Sequence, residues 1–279
     1  MTPLATKILT IIEQMISADE LVLPTMPEIA LKIREVVDDP DASMQALGTI
    51  IEQDAALTAR LLRVSNSPAY RGANEIQDLN RALMRLGMKT TSSLAIGLAM
   101  EQMFQATNEL VDKRLRSTWK RSSEIAGVAN MLCKHTTNLQ PDLAFLAGIT
   151  HQIGMLPVLS FVEENPTVIR DGMTLDEVLE SIHPRIGSLI LKEWDFPNEL
   201  INIPSEHLLY ERDIAEPDYA DIITVSSLQY DAAIGRVNED VDLNTVKAFA
   251  RLGIDPLIED TEAEDVSEEM LAAMKILAG

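Results

Sequence analysis

Apolar residues recur at helical spacing along the chain, and this pattern limits its fold more than any other feature. In the first segment, for example, Leu4, Ile8 and Ile12 fall on one face of a helix. Similar segments follow, several of them preceded by residues that cap helices well, such as Ser43 and Asp54. No segment shows the two-residue alternation of a β-strand. We therefore predict an all-α protein whose N-terminal part is a helical bundle.

The segment Phe145–Pro157 contains no charged residue and is apolar on every face. It is too short to span a bilayer, so the pattern predicts a buried central helix, which we expect Pro157 to end. A single imidazole, His151, lies in the middle and is followed by Gln152. This pair raises the question of whether the helix carries a metal site.

The charge and cysteine content of the 279-residue chain exclude several classes of function. The formal net charge is −21, which argues against nucleic acid and anionic membranes as partners because an acidic surface repels phosphate. The one cysteine, Cys133, cannot form an internal disulfide and is expected to be a buried, inert thiol. We expect no signal peptide and no transmembrane span, and we predict a cytoplasmic protein.

A series of landmark residues resembles the HDOD domain, a regulatory relative of the HD phosphohydrolases. The landmarks in the first half are Leu23-Pro24, Pro27, Asp38–Asp41, Gln53-Asp54, Leu57–Leu62, Asn66-Ser67, Tyr70, Ile76 and Leu86-Gly87. They continue in the second half with Trp119, Ala147–His151, His183–Gly187 and Trp194–Pro197.

The resemblance implies an HDOD domain at 21–211, with an N-terminal helical part at 21–110 packed on a degenerate HD-like helical half at 111–211. A separate N-terminal helix at 1–20 precedes it. An acidic helical extension at 212–279 follows, and its last helix is expected to begin at Asp265 or Ser267 and to continue through Leu277.

The resemblance also locates the metal motif of a catalytic HD domain, which consists of two histidines and two aspartates. The matching positions here are Arg121, His151, Gln152 and, in a looser part of the match, Ser227. Gln152 offers a neutral amide, and Arg121 either repels a cation or turns outward to solvent. The resemblance therefore implies a chain that is not an enzyme, with no catalytic residue, no metal and no other cofactor.

Two further histidines, His183 and His207, are placed near the same pocket by the resemblance. Together with His151 they could form a three-histidine zinc site, although the sequence shows no carboxylate partner. The simpler interpretation is that His151 is a core imidazole satisfied by a hydrogen bond and that His183 orients a helix start before Pro184. The candidate residues of the vestigial pocket are Arg121, His151, Gln152, His183 and His207.

A basic cluster precedes this pocket in sequence. Its members are Lys113, Arg114, Arg116, Lys120 and Arg121. It predicts a solvated helix face or, alternatively, a contact for an anionic ligand or an acidic partner.

We expect a non-catalytic output module of bacterial signal transduction that binds other signalling proteins. The expected binding site is a groove between the N-terminal bundle and the HD-like half. One alternative is a sensor of a nucleotide messenger that uses Arg121 as its cation, and another is a residual metal-dependent phosphohydrolase. The sequence does not indicate the oligomeric state.

Overall fold

Fourteen α-helices form the part of the chain that the computed structural model describes, which comprises residues 2–18, 20, 23–165, 172–236, 241–256 and 274–275. No strand occurs in these ranges, so the predicted all-α fold is confirmed. The helices are α1 Pro3–Ser17, α2 Glu28–Asp38, α3 Met44–Ile51, α4 Ala55–Ser65, α5 Leu79–Leu86, α6 Met88–Met100, α7 Glu109–Thr136, α8 Pro141–Thr150, α9 Met155–Glu164, α10 Gly172–Glu193, α11 Asn198–Ile201, α12 Ile203–Glu206, α13 Tyr219–Ala233 and α14 Lys247–Leu252.

Local capping chemistry starts the N-terminal helices where the sequence predicts. The Asp54 carboxylate accepts hydrogen bonds from the backbone N–H groups of Ala56 and Leu57, both at 2.9 Å. The Ser43 hydroxyl accepts one from Ala46 at 3.1 Å. These bonds satisfy N–H groups that have no partner inside the first turn of a helix.

The N-terminal bundle is joined to the second half through α1, α2 and α6. Helix α1 packs on α10, and α6 packs on both α2 and α8. Two side chains also cross between the halves: the Trp194 indole N–H donates to the Pro24 carbonyl at 2.8 Å, and the Arg34 guanidinium donates to the Trp194 carbonyl. A groove of about 410 Å³ lies between the two halves.

Helix α7 is the long axis of the second half, and α8 and α13 pack along it. Gly148 allows the close approach of α8, because a Cβ atom there would overlap the backbone of Ala126. Cys133 on α7 is fully buried, as predicted, and burial raises the pKa of its thiol. Since α13 belongs to the predicted C-terminal extension, that segment shares the core and forms a wall of the second half.

The prediction of one helix that ends at Pro157 is wrong. Helix α8 ends at Thr150, residues 151–154 form a turn, and α9 begins at Met155. Pro157 is the third residue of α9, where its missing N–H removes no helical hydrogen bond. The whole stretch Pro141–Glu164 is long and apolar enough to cross a membrane, but 78% of its most apolar window is buried inside the fold.

The predicted last helix, from Asp265 or Ser267 through Leu277, lies outside the described residues apart from Met274 and Lys275. The Met274 side chain is buried.

Candidate functional site

A cavity of about 900 Å³ lies between α7, α10, α13 and the segment that follows α12. It brings together all five residues that the sequence analysis assigned to a vestigial pocket, and Ser227 as well. The residues in question are Arg121, His151, Gln152, His183, His207 and Ser227.

Three different elements position the three histidines. His151 follows the last residue of α8, His183 lies within α10, and His207 follows α12. The ring centroids of His151 and His207 are 5.1 Å apart with the rings nearly perpendicular, and those of His183 and His207 are 6.3 Å apart. All three imidazoles are buried, so they form one cluster at the inner end of the cavity.

Backbone carbonyls fix the orientation of two of these rings. Nδ1 of His151 lies 2.7 Å from the Gly148 carbonyl oxygen, and Nδ1 of His207 lies 2.9 Å from the Ile203 carbonyl oxygen. Because a carbonyl only accepts, each Nδ1 carries the proton and leaves the Nε2 lone pair available. Nδ1 of His183 is buried and has no hydrogen-bond partner among the described residues.

The three imidazoles are neutral at pH 7. Burial and, to a smaller extent, the neighbouring His207 lower the pKa of His183 to about 3. Burial also lowers the pKa of His207 to about 4, and the charge of Arg121 lowers it further. Two backbone hydrogen bonds raise this pKa but do not offset the burial. The pKa of His151 is lowered well below its usual value by burial, then by His207 and Arg121. The cluster thus offers hydrogen-bonding nitrogen atoms without adding positive charge.

The prediction that His183 lies at a helix start is wrong. Helix α10 begins at Gly172 and continues through Pro184. Val178, Ile182 and Ile186, on both sides of the proline, are fully buried. This packing holds the helix together where the proline removes one hydrogen bond.

Arg121 points into the cavity rather than out to solvent. Its two terminal nitrogens bind the two carboxylate oxygens of Asp231 on α13, with Nη2 at 2.9 Å from Oδ2. The guanidinium carbon also lies 5.2 Å from the ring centroid of Tyr230. The Tyr230 hydroxyl donates to the Glu124 carboxylate at 2.7 Å, so α7 and α13 are joined by a chain of polar contacts.

Gln152 lies in the turn between α8 and α9, at the wall of the same cavity. Its side-chain oxygen is 3.4 Å from the hydroxyl of Ser122, a buried residue of α7. The amide therefore takes part in a neutral hydrogen bond at the position where a catalytic HD domain would carry an aspartate.

Three carboxylates of the cavity were not predicted from the sequence, namely Asp176, Glu180 and Asp231. Asp231 lies one helical turn after Ser227, the residue assigned loosely to the last position of the HD motif. An inspection of the residues on the same helical face as Ser227 could have found it. The basic cluster divides in the structure. Arg114 lines the cavity and pairs with Asp176, whereas Arg116 pairs with Asp112 on the surface.

These residues do not fit a hydrolytic divalent metal. In the ranges that the structure describes, no three His, Cys, Asp or Glu side chains are arranged to hold an ion. The Asp231 carboxylate has both oxygens on Arg121. The Arg121 guanidinium, whose charge contributes to the lowered pKa of His151 and His207, also disfavours a dication at these imidazoles.

Comparison with solved structures places the fold among bacterial proteins of this architecture. A proposed metal-dependent phosphohydrolase from Shewanella amazonensis SB2B superimposes with a TM-score of 0.86 at 27% identity, over 99% of this chain and 100% of that one. An HDOD domain protein of unknown function from Geobacter sulfurreducens gives 0.68 at 21% identity, over 98% of each chain. A proposed signal transduction protein from Marinobacter aquaeolei VT8 gives 0.67 at 19%, over 99% of this chain and 66% of that one.

Sequence comparison leads to the same family. An uncharacterized protein of Treponema pallidum is 23% identical over 191 residues, which are 64% of this chain and 36% of that protein. The chain therefore corresponds to about a third of that relative. The HDOD domain model matches residues 23–208. This match covers more than half of the sequence, and the chain belongs to the HDOD family.

Proposed function

We propose that this chain is a regulatory protein of bacterial signal transduction that has no hydrolase activity of its own. Its membership of the HDOD family supports a signalling role, and so does the name of the Marinobacter protein that shares its fold. The proposal assigns the output to binding of another signalling protein.

The salt bridge between Arg121 and Asp231 is the observation that carries this proposal. It lies at the position where the HD motif would hold its metal, and both partners are largely buried, with side chains 21% and 22% exposed. In the HD motif, carboxylates offset the charge of the metal, and the metal keeps room in its coordination shell for the water that it activates. Here a cation of the protein already occupies the carboxylate.

The groove between the two halves is the proposed partner site. Apolar side chains from both halves line it, among them Met26, Ile96, Leu146 and Phe196. Lys89 and Asp142 lie at the same groove and supply opposite charges. A mixed apolar and charged groove is suited to a helix or a loop of another protein.

Affinity capture from the host, followed by mass spectrometry, tests this assignment. We expect a signalling protein that is captured by the wild type and lost with Lys89→Glu, which reverses an exposed charge at the groove. Lys113→Glu, at an exposed position on α7 outside both cavities, is the matched control. Equal capture by wild type and Lys89→Glu, or no specific protein under several growth conditions, would contradict the partner site.

A residual phosphohydrolase is the second candidate, favoured by the Shewanella neighbour with its TM-score of 0.86. Elemental analysis of the purified protein for zinc, manganese and iron, with a phosphodiesterase assay, separates the two functions. We expect neither stoichiometric metal nor turnover above that of a blank without protein. Bound metal together with turnover that depends on it would reverse the proposal.

A further inference from the structure

Two guanidinium groups project from one face of α7 into the same cavity. Arg114 and Arg121 are seven residues apart, which is two helical turns and a rise of about 10 Å along the axis. Each crosses to a carboxylate on a different helix: Arg114 pairs with Asp176 on α10, and Arg121 pairs with Asp231 on α13. The cavity is therefore bordered by two separate ion pairs.

Each arginine offers donors for which a phosphate group can compete with the carboxylate. A guanidinium has five N–H donors in a planar fork, and the bond from Arg121 to Asp231 involves one donor on each terminal nitrogen. A phosphate group carries more charge than a carboxylate and has three acceptor oxygens, so it competes well for such a fork.

The remaining wall suits an organic ligand rather than a bare ion. The volume of about 900 Å³ is at the upper end for small-molecule sites. The Ser227 hydroxyl lines it with a buried oxygen that has no hydrogen-bond partner among the described residues. The neutral imidazoles of His151, His183 and His207 add polar groups that can face an uncharged part of a ligand.

We propose that this cavity binds a small molecule with two separated phosphate groups, one at Arg121 and one at Arg114, which displace Asp231 and Asp176. A single phosphate would replace only one of the two carboxylates, so the spacing of the two arginines favours a bisphosphate. The inference rests on the proposed non-hydrolytic function and specifies how it is regulated.

Displacement of the two carboxylates links binding to the rest of the fold. In the structure, the two ion pairs join α10 and α13 to α7. A bound bisphosphate removes these links and leaves Asp176 and Asp231 facing the ligand's charge. A ligand that binds better to the state with open ion pairs shifts the population toward that state.

Isothermal titration of the whole chain with adenosine 3′,5′-bisphosphate and with adenosine 5′-monophosphate tests the proposal. We expect the bisphosphate to bind about tenfold or more tightly than the monophosphate. Arg121→Gln and Arg114→Gln should each weaken its binding about tenfold or more. Arg116→Gln, on the same helix but paired with Asp112 outside the cavity, should leave the affinity unchanged.

Asp231→Asn should change the affinity for the bisphosphate in the opposite direction to the two arginine variants. It removes the competing carboxylate, so we expect tighter binding of the bisphosphate, by about threefold or more. If Asp231→Asn weakens binding as Arg121→Gln does, the phosphate does not displace Asp231 from Arg121. Equal binding of the two nucleotides, an equal loss with Arg116→Gln, or no binding of the bisphosphate would each overturn the proposed site. Circular dichroism of every variant verifies its fold.

The outcomes also separate this inference from the proposed function. Binding of the bisphosphate with metal-dependent cleavage would retain the site and reject the non-hydrolytic function. Absence of binding together with absence of metal and turnover would reject the site and leave the proposed function intact.

Discussion

The carbonyl oxygen of His183 occupies the space that a Cβ atom on Gly154 would need. The backbone nitrogen of Gly187 would also lie only 2.5 Å from that atom. The turn at 151–154 therefore lies directly against α10, and this contact fixes His151 and Gln152 relative to His183. The backbone contact at Gly154 thus contributes to the shape of the cavity without lining it.

Gly154→Ala should destabilise the protein by about 3 kcal/mol, because the added methyl group meets backbone atoms that cannot move aside. Urea unfolding followed by circular dichroism measures the change in the free energy of unfolding. Gly72→Ala is the control, since its Cβ would meet only the flexible end of Arg85 at 3.2 Å. Equal stability of the two variants would show that the turn does not lie against α10 in this way.

The buried carboxylate of Asp221 holds the C-terminal segment on α13. Arg251 binds it through Nε and Nη2, both at 2.6 Å, and Arg212 binds it at 3.3 Å. Asp221 is 1% exposed, so Asp221→Ala leaves the Arg251 guanidinium without its carboxylate. We expect a loss of about 3–5 kcal/mol in the free energy of unfolding.

The control for this prediction is Asp213→Ala. Asp213 pairs with Lys247 at 3.6 Å, and its side chain is 99% exposed. An exposed pair contributes at most about 1 kcal/mol, so the thermal midpoint should change little. A similar shift of the midpoint in both variants would mean that the buried network does not contribute more than a surface pair.

The histidine cluster should make the protein sensitive to mild acid. The pKa of His183 falls to about 3 and that of His207 to about 4 in the folded state, both below the ordinary histidine value of 6.5. As pH falls below the pKa of histidine in the unfolded chain, the unfolded chain binds protons that the folded cluster does not accept. Stability therefore decreases as pH falls, by roughly 2 kcal/mol for each histidine at about pH 5.

Urea unfolding between about pH 7 and about pH 5 measures this loss, before the carboxylates dominate the titration. His183→Gln removes one of the two groups, so its stability should fall less steeply with pH than that of the wild type. The quantity compared is the slope of the free energy of unfolding against pH, so the test is valid even if the variant is less stable than the wild type at every pH. Parallel slopes would contradict a neutral, buried His183.

Local signals in the sequence were sufficient to predict where the helices after Ser43 and Asp54 begin, but they could not predict long-range relationships. The cap at Asp54 depends only on N–H groups within the next three residues, so the sequence contains all the information it needs. Asp231 is 110 residues from Arg121 along the chain. Helical periodicity places each on the face of its own helix and does not state which helix lies opposite.

The two wrong helix boundaries have a common cause. Pro157 and Pro184 were both interpreted as local punctuation, whereas tertiary packing determines where their helices begin and end. Pro157 falls in the first turn of α9 because the backbone of Gly154 contacts α10 just before it. Pro184 is tolerated inside α10 because fully buried side chains hold both flanking turns.

Restoring two residues of the HD motif should create a metal site if Arg121 and Gln152 occupy the positions assigned to them. The double variant Arg121→His and Gln152→Asp adds an imidazole and a carboxylate beside His151. It also removes the guanidinium from Asp231, so that this carboxylate becomes available to a cation. Imidazole and carboxylate are ligands that divalent transition metals accept well.

We expect the double variant to bind Mn²⁺ or Zn²⁺ about tenfold or more tightly than the wild type, measured by titration calorimetry and by elemental analysis after dialysis. The single variant Gln152→Asp is the matched control. It supplies the carboxylate but retains the Arg121 cation, so its affinity should stay close to that of the wild type. Equal metal binding by the single and double variants would show that Arg121 is not what keeps a cation out of this cavity.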